Sequence, residues 1–284
     1  MIVNLLADMS LWTWKFLSDA PFRPREETIT ESLLVDLGRR GRGQVWVHKA
    51  TTGVESRTGL DWAWALKTTA GWVIMVVQAK QADGLRFAKY PELRKRDATD
   101  QVDDLLYTAA MVGALPVYVF YQGEVHPFGA AGETTWFGAC PRKEITRGPG
   151  LPWTRTASAL GITVAHAEDV MTYIVPPPAA NQRAETVNNY AMPLECLLCP
   201  GLGLRHVTAD APRILEVAAQ IAHLSTATQV ESPWLVADSR PSWIQPEQPS
   251  WVGDIIEGIG PREDREDVPD ASYYLVTDLT GGEG

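Results

Sequence analysis

The sequence predicts an α/β fold in which a mixed sheet is flanked by helices. Three observations carry this. An amphipathic stretch is followed by three strand-like runs, a second amphipathic stretch and a fourth strand-like run. The run over residues 72–80 is apolar and β-branched, as a strand covered on both faces must be. Helical and strand periods alternate along the chain instead of segregating, which suits helices laid on a sheet.

Residues 1–24 read as an N-terminal packing helix. The apolar run there has no basic leader and carries Asp8, so a signal peptide is not expected. In residues 28–37, Ile29, Leu33 and Leu37 recur at i, i+4 and i+8, and Gly38 to Gly43 supply the stop. Residues 44–50 alternate like a strand, and residues 60–66 are a second strand-like run. A polar, basic connection follows the apolar strand and leads to a helix from about Asp97 to Val112. That helix places Val102, Leu105, Leu106 and Ala109 on one face and ends at Gly113. Residues 117–121 form the next strand.

The core therefore covers residues 25–125, and residues 126–284 are an extension of uncertain structure. Within it Pro176, Pro177 and Pro178 mark a break, and Asp210 caps a helix reaching Leu224 with Pro212 in its first turn. Residues after about 228, rich in Pro, Trp and acid, are expected to wrap over other parts or stay loose.

Composition narrows the classes of function. With 45% hydrophobic and 21% charged residues the chain packs as a globular protein. No run of about 18 apolar residues exists, so no transmembrane helix and no membrane partner are expected. Three cysteines make a disulfide framework improbable and a reducing cytoplasm the default. The net charge of −10 lowers the expectation of a nucleic-acid partner, but local potential governs phosphate binding. Arg39, Arg40 and Arg42 cluster in one stretch, and Arg86, Lys89, Arg94, Lys95 and Arg96 in another. Acid concentrates at Glu263, Asp264, Glu266, Asp267 and Asp270. A solvated surface is the plainer reading of either basic cluster alone.

The informative stretch runs from Thr58 to Lys80. If Thr68 to Gly71 form a four-residue hairpin loop, Lys67 pairs with Trp72, Ala65 with Ile74, Ala63 with Val76 and Asp61 with Gln78. Alternation then puts Asp61, Gln78 and Lys80 on one face. Burying an acid and a lysine there without use would cost stability.

This arrangement resembles the PD-(D/E)XK nuclease superfamily, with an acid opening one strand and (D/E)-X-K on the next. The order of helix, three strands, helix, strand is similar to that superfamily's core over roughly residues 25–122. Gly59, Leu60 and Asp61 resemble the acid motif, and Gln78, Ala79 and Lys80 the second motif. Gln78 stands where an acid is usual, which resembles the Mrr-like restriction endonuclease branch. The segment from Glu26 to Glu31 further resembles small uncharacterised families of this branch.

The resemblance implies a restriction-endonuclease-like core that hydrolyses phosphodiester bonds with Mg²⁺ or Mn²⁺. It favours DNA over RNA and fits a prokaryotic defence role, with a homodimer or partner protein left open. Asp61 would be the primary metal ligand, joined by the amide oxygen of Gln78 and the backbone carbonyl of Ala79. Lys80 would orient the attacking water and offset developing charge. The first helix offers one more acid. Glu27 lies beside Leu34 at the edge of the apolar face and is preferred, with Glu31 one step further out, and the choice between them stays open. Gln101, beside Leu105 and Val112, could also point toward the site, although an exposed position is the plainer reading.

Other chemistries find less support. Cys196 and Cys199, with Cys140 and His206, have irregular spacing for zinc and read better as buried thiols. His48 and His126 have no partner motif. No serine sits in a nucleophile-elbow setting, no phosphate loop of the Walker type occurs, and Gly201 to Gly203 is too short to mean much. A binding or scaffold protein on the same fold, without catalysis, is the alternative that Gln78 and the acidic balance support.

Overall fold

A computed structural model describes residues 2–19, 24–50, 60–82, 101–123, 161–174, 187, 190–199, 212–226, 241–262, 265 and 267–280. Helix α1 (Ile2–Asp19) buries Leu5, Leu6 and Met9 in one stripe. Helix α2 (Glu26–Arg40) buries Ile29, Thr30, Leu33, Leu34 and Leu37. Two of its acids, Glu26 and Glu27, lie in the first turn and its arginines in the last, as the helix dipole favours. It runs through Gly38 and stops at Gly41, whose N–H donates to the Leu37 carbonyl. A side chain at Gly41 would strike Val45, so the tight exit into β1 (Val45–Lys49) needs glycine there.

Strands β2 (Leu60–Thr68) and β3 (Gly71–Gln81) form the expected hairpin. Lys67 pairs with Trp72, Ala65 with Ile74 and Ala63 with Val76, as the sequence predicts. The loop is shorter than expected. Thr68 and Gly71 also pair, leaving two turn residues, and the Thr68 hydroxyl closes the turn on the Gly71 carbonyl. Gly71 has φ 137, and a side chain there would meet the Gln245 carbonyl.

Helix α3 (Gln101–Val112) leads through Gly113 into β4 (Leu115–Tyr121), parallel to β3. Strand β5 (Ile162–His166) follows, then α4 (Ala167–Asp169) with a π-helical turn over Val170–Ile174. Short β6 (Met192–Pro193), α5 (Leu194–Leu197), α6 (Arg213–Thr226), β7 (Ile244–Gln245), α7 (Ser250–Ile256) and β8 (Ala271–Asp278) complete the described elements.

The fold is α/β, a mixed sheet in the order β1-β8-β2-β3-β4-β5-β6, with β7 added to the start of β3. Alternation sends one row of side chains to each face. Trp62, Trp64, Val73, Met75, Val77, Val117 and Tyr121 pack with α1, α2, α5 and α6. Ala63, Ala65, Ile74, Val76, Tyr118 and Phe120 pack with α3 and α7 on the other. Each fully buried Leu, Ile or Val contributes about 1.5–3 kcal/mol, so both faces are needed to hold the sheet.

The C-terminal segment departs from the expectation of a loose wrap. β8 lies between β1 and β2, antiparallel to the first and parallel to the second. Strands β5 to β8 therefore extend or fill one sheet instead of forming an appendage. The basic run from Arg86 to Arg96, the start of the second helix near Asp97, Gly59, His126, Cys140, Pro176 to Pro178, Gly201 to Gly203, His206, Asp210, Glu263, Asp264 and Glu266 lie outside the described residues.

Candidate active site

The pairing of Trp62 with Val77 carries Asp61 and Gln78 to the next step outward, on the face of Ala63 and Val76. There the Gln78 side-chain amide donates to Asp61 Oδ2 at 2.7 Å, and the Ala79 N–H donates to the same oxygen at 2.6 Å. The Asp61 carboxylate thus closes the end of the hairpin by accepting a backbone donor of β3. Among the described residues Asp61 Oδ1 accepts no hydrogen bond. Ala79 directs its carbonyl from the same strand edge as its N–H, and the Gln78 amide nitrogen approaches that oxygen at 3.5 Å.

Lys80 lies two residues beyond Gln78 on the same face and is 7% exposed. Its ammonium stands 3.8 Å from Glu26 Oε1. The other Glu26 oxygen accepts the Gln81 N–H at 2.7 Å. One carboxylate therefore holds both the backbone at the end of β3 and the side chain of Lys80. The placement of Glu26 is set one turn later, where Thr30 and Tyr121 share a buried hydroxyl contact of 3.1 Å between α2 and β4.

Burial pushes the Asp61 carboxyl up to about 7. The Ala79 N–H opposes that, the Glu26 carboxylate adds to it, Lys80 opposes it and Glu27 adds to it more weakly. Two carboxylates and one ammonium thus share a half-enclosed space, and the acids disfavour each other's charge. Such a cluster is costly unless a further cation joins it.

Helix α2 supplies an acid, but a different one from the two expected. Glu27 is exposed and among the described residues makes no hydrogen bond or ion pair, reaching Asp61 only through its field. Glu31 turns away to Lys49 at 2.7 Å and to the Tyr273 hydroxyl. Lys49 also lies 5.4 Å from the centre of the Tyr273 ring. The hydrogen bond from Lys49, then that from Tyr273, holds the Glu31 carboxyl below its ordinary range. Glu26 is the acid that sequence reasoning missed. At 100° per residue it lies within about 20° of the mean direction of the five buried side chains of α2, whereas Glu27 is about 90° away. Extending the row Leu37, Leu33, Thr30 backwards by one turn would have found it.

The donors present are carboxylate, amide and carbonyl oxygens, which suit a hard divalent cation. Among the described residues no group of three or more His, Cys, Asp or Glu could hold a metal. The set offers two carboxylates, Asp61 and Glu26, and leaves the remaining positions to neutral oxygens and water. That is the ligation Mg²⁺ tolerates best, so the residues fit the ion. Gln78 presents its nitrogen to Asp61, so its oxygen would have to turn by half a rotation to join them. Cys196 and Cys199 are buried and not disulfide-bonded, and the His48 ring packs against Gly260.

No helix among the described residues is long and apolar enough to cross a membrane. No curated protein and no solved structure matches the chain. Over residues 2–273 it matches a family of unknown function, DUF6615, and it belongs to that family.

Proposed function

We propose that the protein is a metal-dependent nuclease that hydrolyses phosphodiester bonds, with DNA as the favoured substrate and Mg²⁺ or Mn²⁺ as cofactor. The observation that carries this reading is the meeting of Asp61, Gln78, Lys80 and Glu26 at one end of β3. Asp61 and Glu26 would hold the ion, with the Ala79 carbonyl and the Gln78 oxygen beside them. Such an ion would supply positive field to the phosphate oxygens and would acidify a water. Lys80, fixed by Glu26, directs a donor at the attacked phosphate and keeps the attacking water in line. Five basic and four acidic residues stand in the sequence between Ala82 and Gln101.

A second reading, a nucleic-acid-binding or scaffold protein without catalysis, draws on the hydrogen bond from Gln78 to Asp61. That donor occupies an oxygen a cation would use. Incubating supercoiled plasmid with the protein and Mg²⁺ separates the two. Nicking that stops with chelator and is lost in Lys80→Ala supports the nuclease. Plasmid retarded in a gel but left intact favours the second reading.

A further inference from the structure

Gln101 begins the described part of α3, one turn before Leu105 on the row that continues to Ala109. Leu105 and Ala109 are buried against the sheet face that also carries Asp61, Gln78 and Lys80. The helix leads directly into β4, whose last residues pair with Lys80 and Gln81. It must therefore run back along the sheet, with its first turn at the site end. Gln101 stands about 6 Å along the axis beyond Leu105, toward that end. Its side-chain oxygen is buried and has no hydrogen-bond partner among the described residues.

A second oxygen on the same face is in the same condition. Thr163 is 0% exposed and pairs with Phe120, which pairs with Lys80, and the Thr163 hydroxyl has no partner among the described residues. Buried oxygens of this kind are satisfied by water wherever space and further polar groups allow. A carbonyl-type oxygen can only accept, and neither Lys80 nor the Gln78 amide donates to it. Water is a donor that such an oxygen can accept from.

We propose that Gln101 is a positioning residue for the candidate centre, its side-chain oxygen accepting a hydrogen bond from a water on the divalent cation. The inference rests on the nuclease reading and adds a contribution from the helix layer opposite α2. Asp61 and Glu26 would then hold the ion from the sheet end and α2, while Gln101 would orient one of its waters from α3. Gln101→Met keeps the volume and removes the acceptor, and Gln101→Glu keeps an acceptor at the same reach.

The test measures Mn²⁺ binding by electron spin resonance on the full chain, without substrate, beside plasmid cleavage. Gln101→Met should weaken Mn²⁺ binding about three- to tenfold and lower kcat about tenfold to a hundredfold, with KM little changed. Gln101→Glu should bind Mn²⁺ more tightly than Gln101→Met and gain more melting temperature from Mn²⁺ than wild type does. A purely structural role would not give that rescue. Unaltered Mn²⁺ affinity in Gln101→Met overturns the proposal whatever the rate, while cleavage by wild type leaves the nuclease reading standing. Wild type that neither binds Mn²⁺ nor cleaves removes both.

Discussion

Two strand ends of the sheet, the start of β2 and the end of β5, each bury an ionisable side chain and neutralise it in opposite senses. Burial raises Asp61 to about 7 at the outer end of the β2–β3 hairpin. Burial lowers His166 to about 4 at the end of β5, with Glu168 opposing and Arg213 assisting. Around His166 the polar groups answer one another. The ring accepts the Glu168 N–H, Asp169 accepts the Arg213 N–H at 2.7 Å, and Arg213 pairs with Glu168. The neutral imidazole is the form that this helix start uses. Around Asp61 the neighbours instead include a second carboxylate, an amide that presents its nitrogen, and a lysine held 3.8 Å from Glu26. A perturbed group whose partners complete it is a structural cap, whereas one whose partners leave charge uncompensated has room for another ion.

The largest effects should break this comparison if it is wrong. Lys80→Ala and Asp61→Asn should each lower plasmid cleavage by about 10²–10⁴ while the protein still folds. His166→Gln should leave cleavage unchanged and cost roughly 1 kcal/mol of stability, the worth of a helix cap. Glu26→Gln should fall with the first pair and Glu27→Gln with wild type. A cleavage assay with melting curves decides, and a Glu27→Gln loss matching Glu26→Gln would reverse the assignment on α2.

At the next size, Gln78→Glu should move the Mg²⁺ midpoint for cleavage down roughly tenfold, since an ion–ion attraction replaces an ion–dipole one. The maximal rate need not rise, because the new carboxylate can anchor Lys80. In metal-free buffer the same variant should melt lower than wild type, with Asp61 and a second acid facing each other. An unmoved midpoint in a titration of both proteins would remove Gln78 from the ligand set.

How much of this was legible differs sharply between the two halves of the sheet. The hairpin register could be read because Asp61 to Lys80 is local: alternation and a short turn bring the residues together with no other part of the chain. Glu26 was missed because the helix face was judged from its edge at Leu34 instead of the centre of its buried row. β8 was missed for a different reason. Its neighbours β1 and β2 lie more than two hundred residues earlier, and a strand buried by so distant a pairing has no local signature beyond a short apolar run. The two-residue turn was judged two residues too long, without consequence, since Thr68 and Gly71 add a pair in the same register.

Melting against pH sharpens the comparison at the scale of a few degrees. Asp61 has a folded pKa of about 7, above its unfolded value, so its favourable contribution is complete below about pH 4 and is lost as pH rises through 7. His166 has a folded pKa of about 4, below its unfolded value, so its contribution is complete above about pH 6.5 and is lost as pH falls through 4. Asp61→Asn should therefore gain on wild type as pH rises from 4 to 8, and Mn²⁺ at pH 8 should close that gap. His166→Gln should gain as pH falls over the same range, with no response to Mn²⁺. Calorimetric scans across these pH values check both, and parallel curves for the two variants would end the contrast.

The smallest effect belongs to Glu31, the acid that shares α2 with Glu26 and faces Lys49 and Tyr273. Its side chain is 46% exposed and that of Lys49 is 58% exposed, so solvent and salt screen the pair. The Glu31 carboxyl is held low by that pair and so gives its contribution above the ordinary carboxylate range, losing it as pH falls. Glu31→Gln should shift melting less than His166→Gln does, and that shift should shrink further in high salt. Cleavage should change less than threefold, because Lys49 and Tyr273 lie in the row of Trp62 on the α2 face, whereas Asp61, Gln78 and Lys80 project from the other and Glu26 turns to Lys80 and Gln81. The comparison to make is Glu31→Gln beside Glu26→Gln at equal Mg²⁺. A loss at Glu31 as large as that at Glu26 would mean that the site extends across the strand end to β1 and β8, and that Lys49 holds substrate when Glu31 releases it.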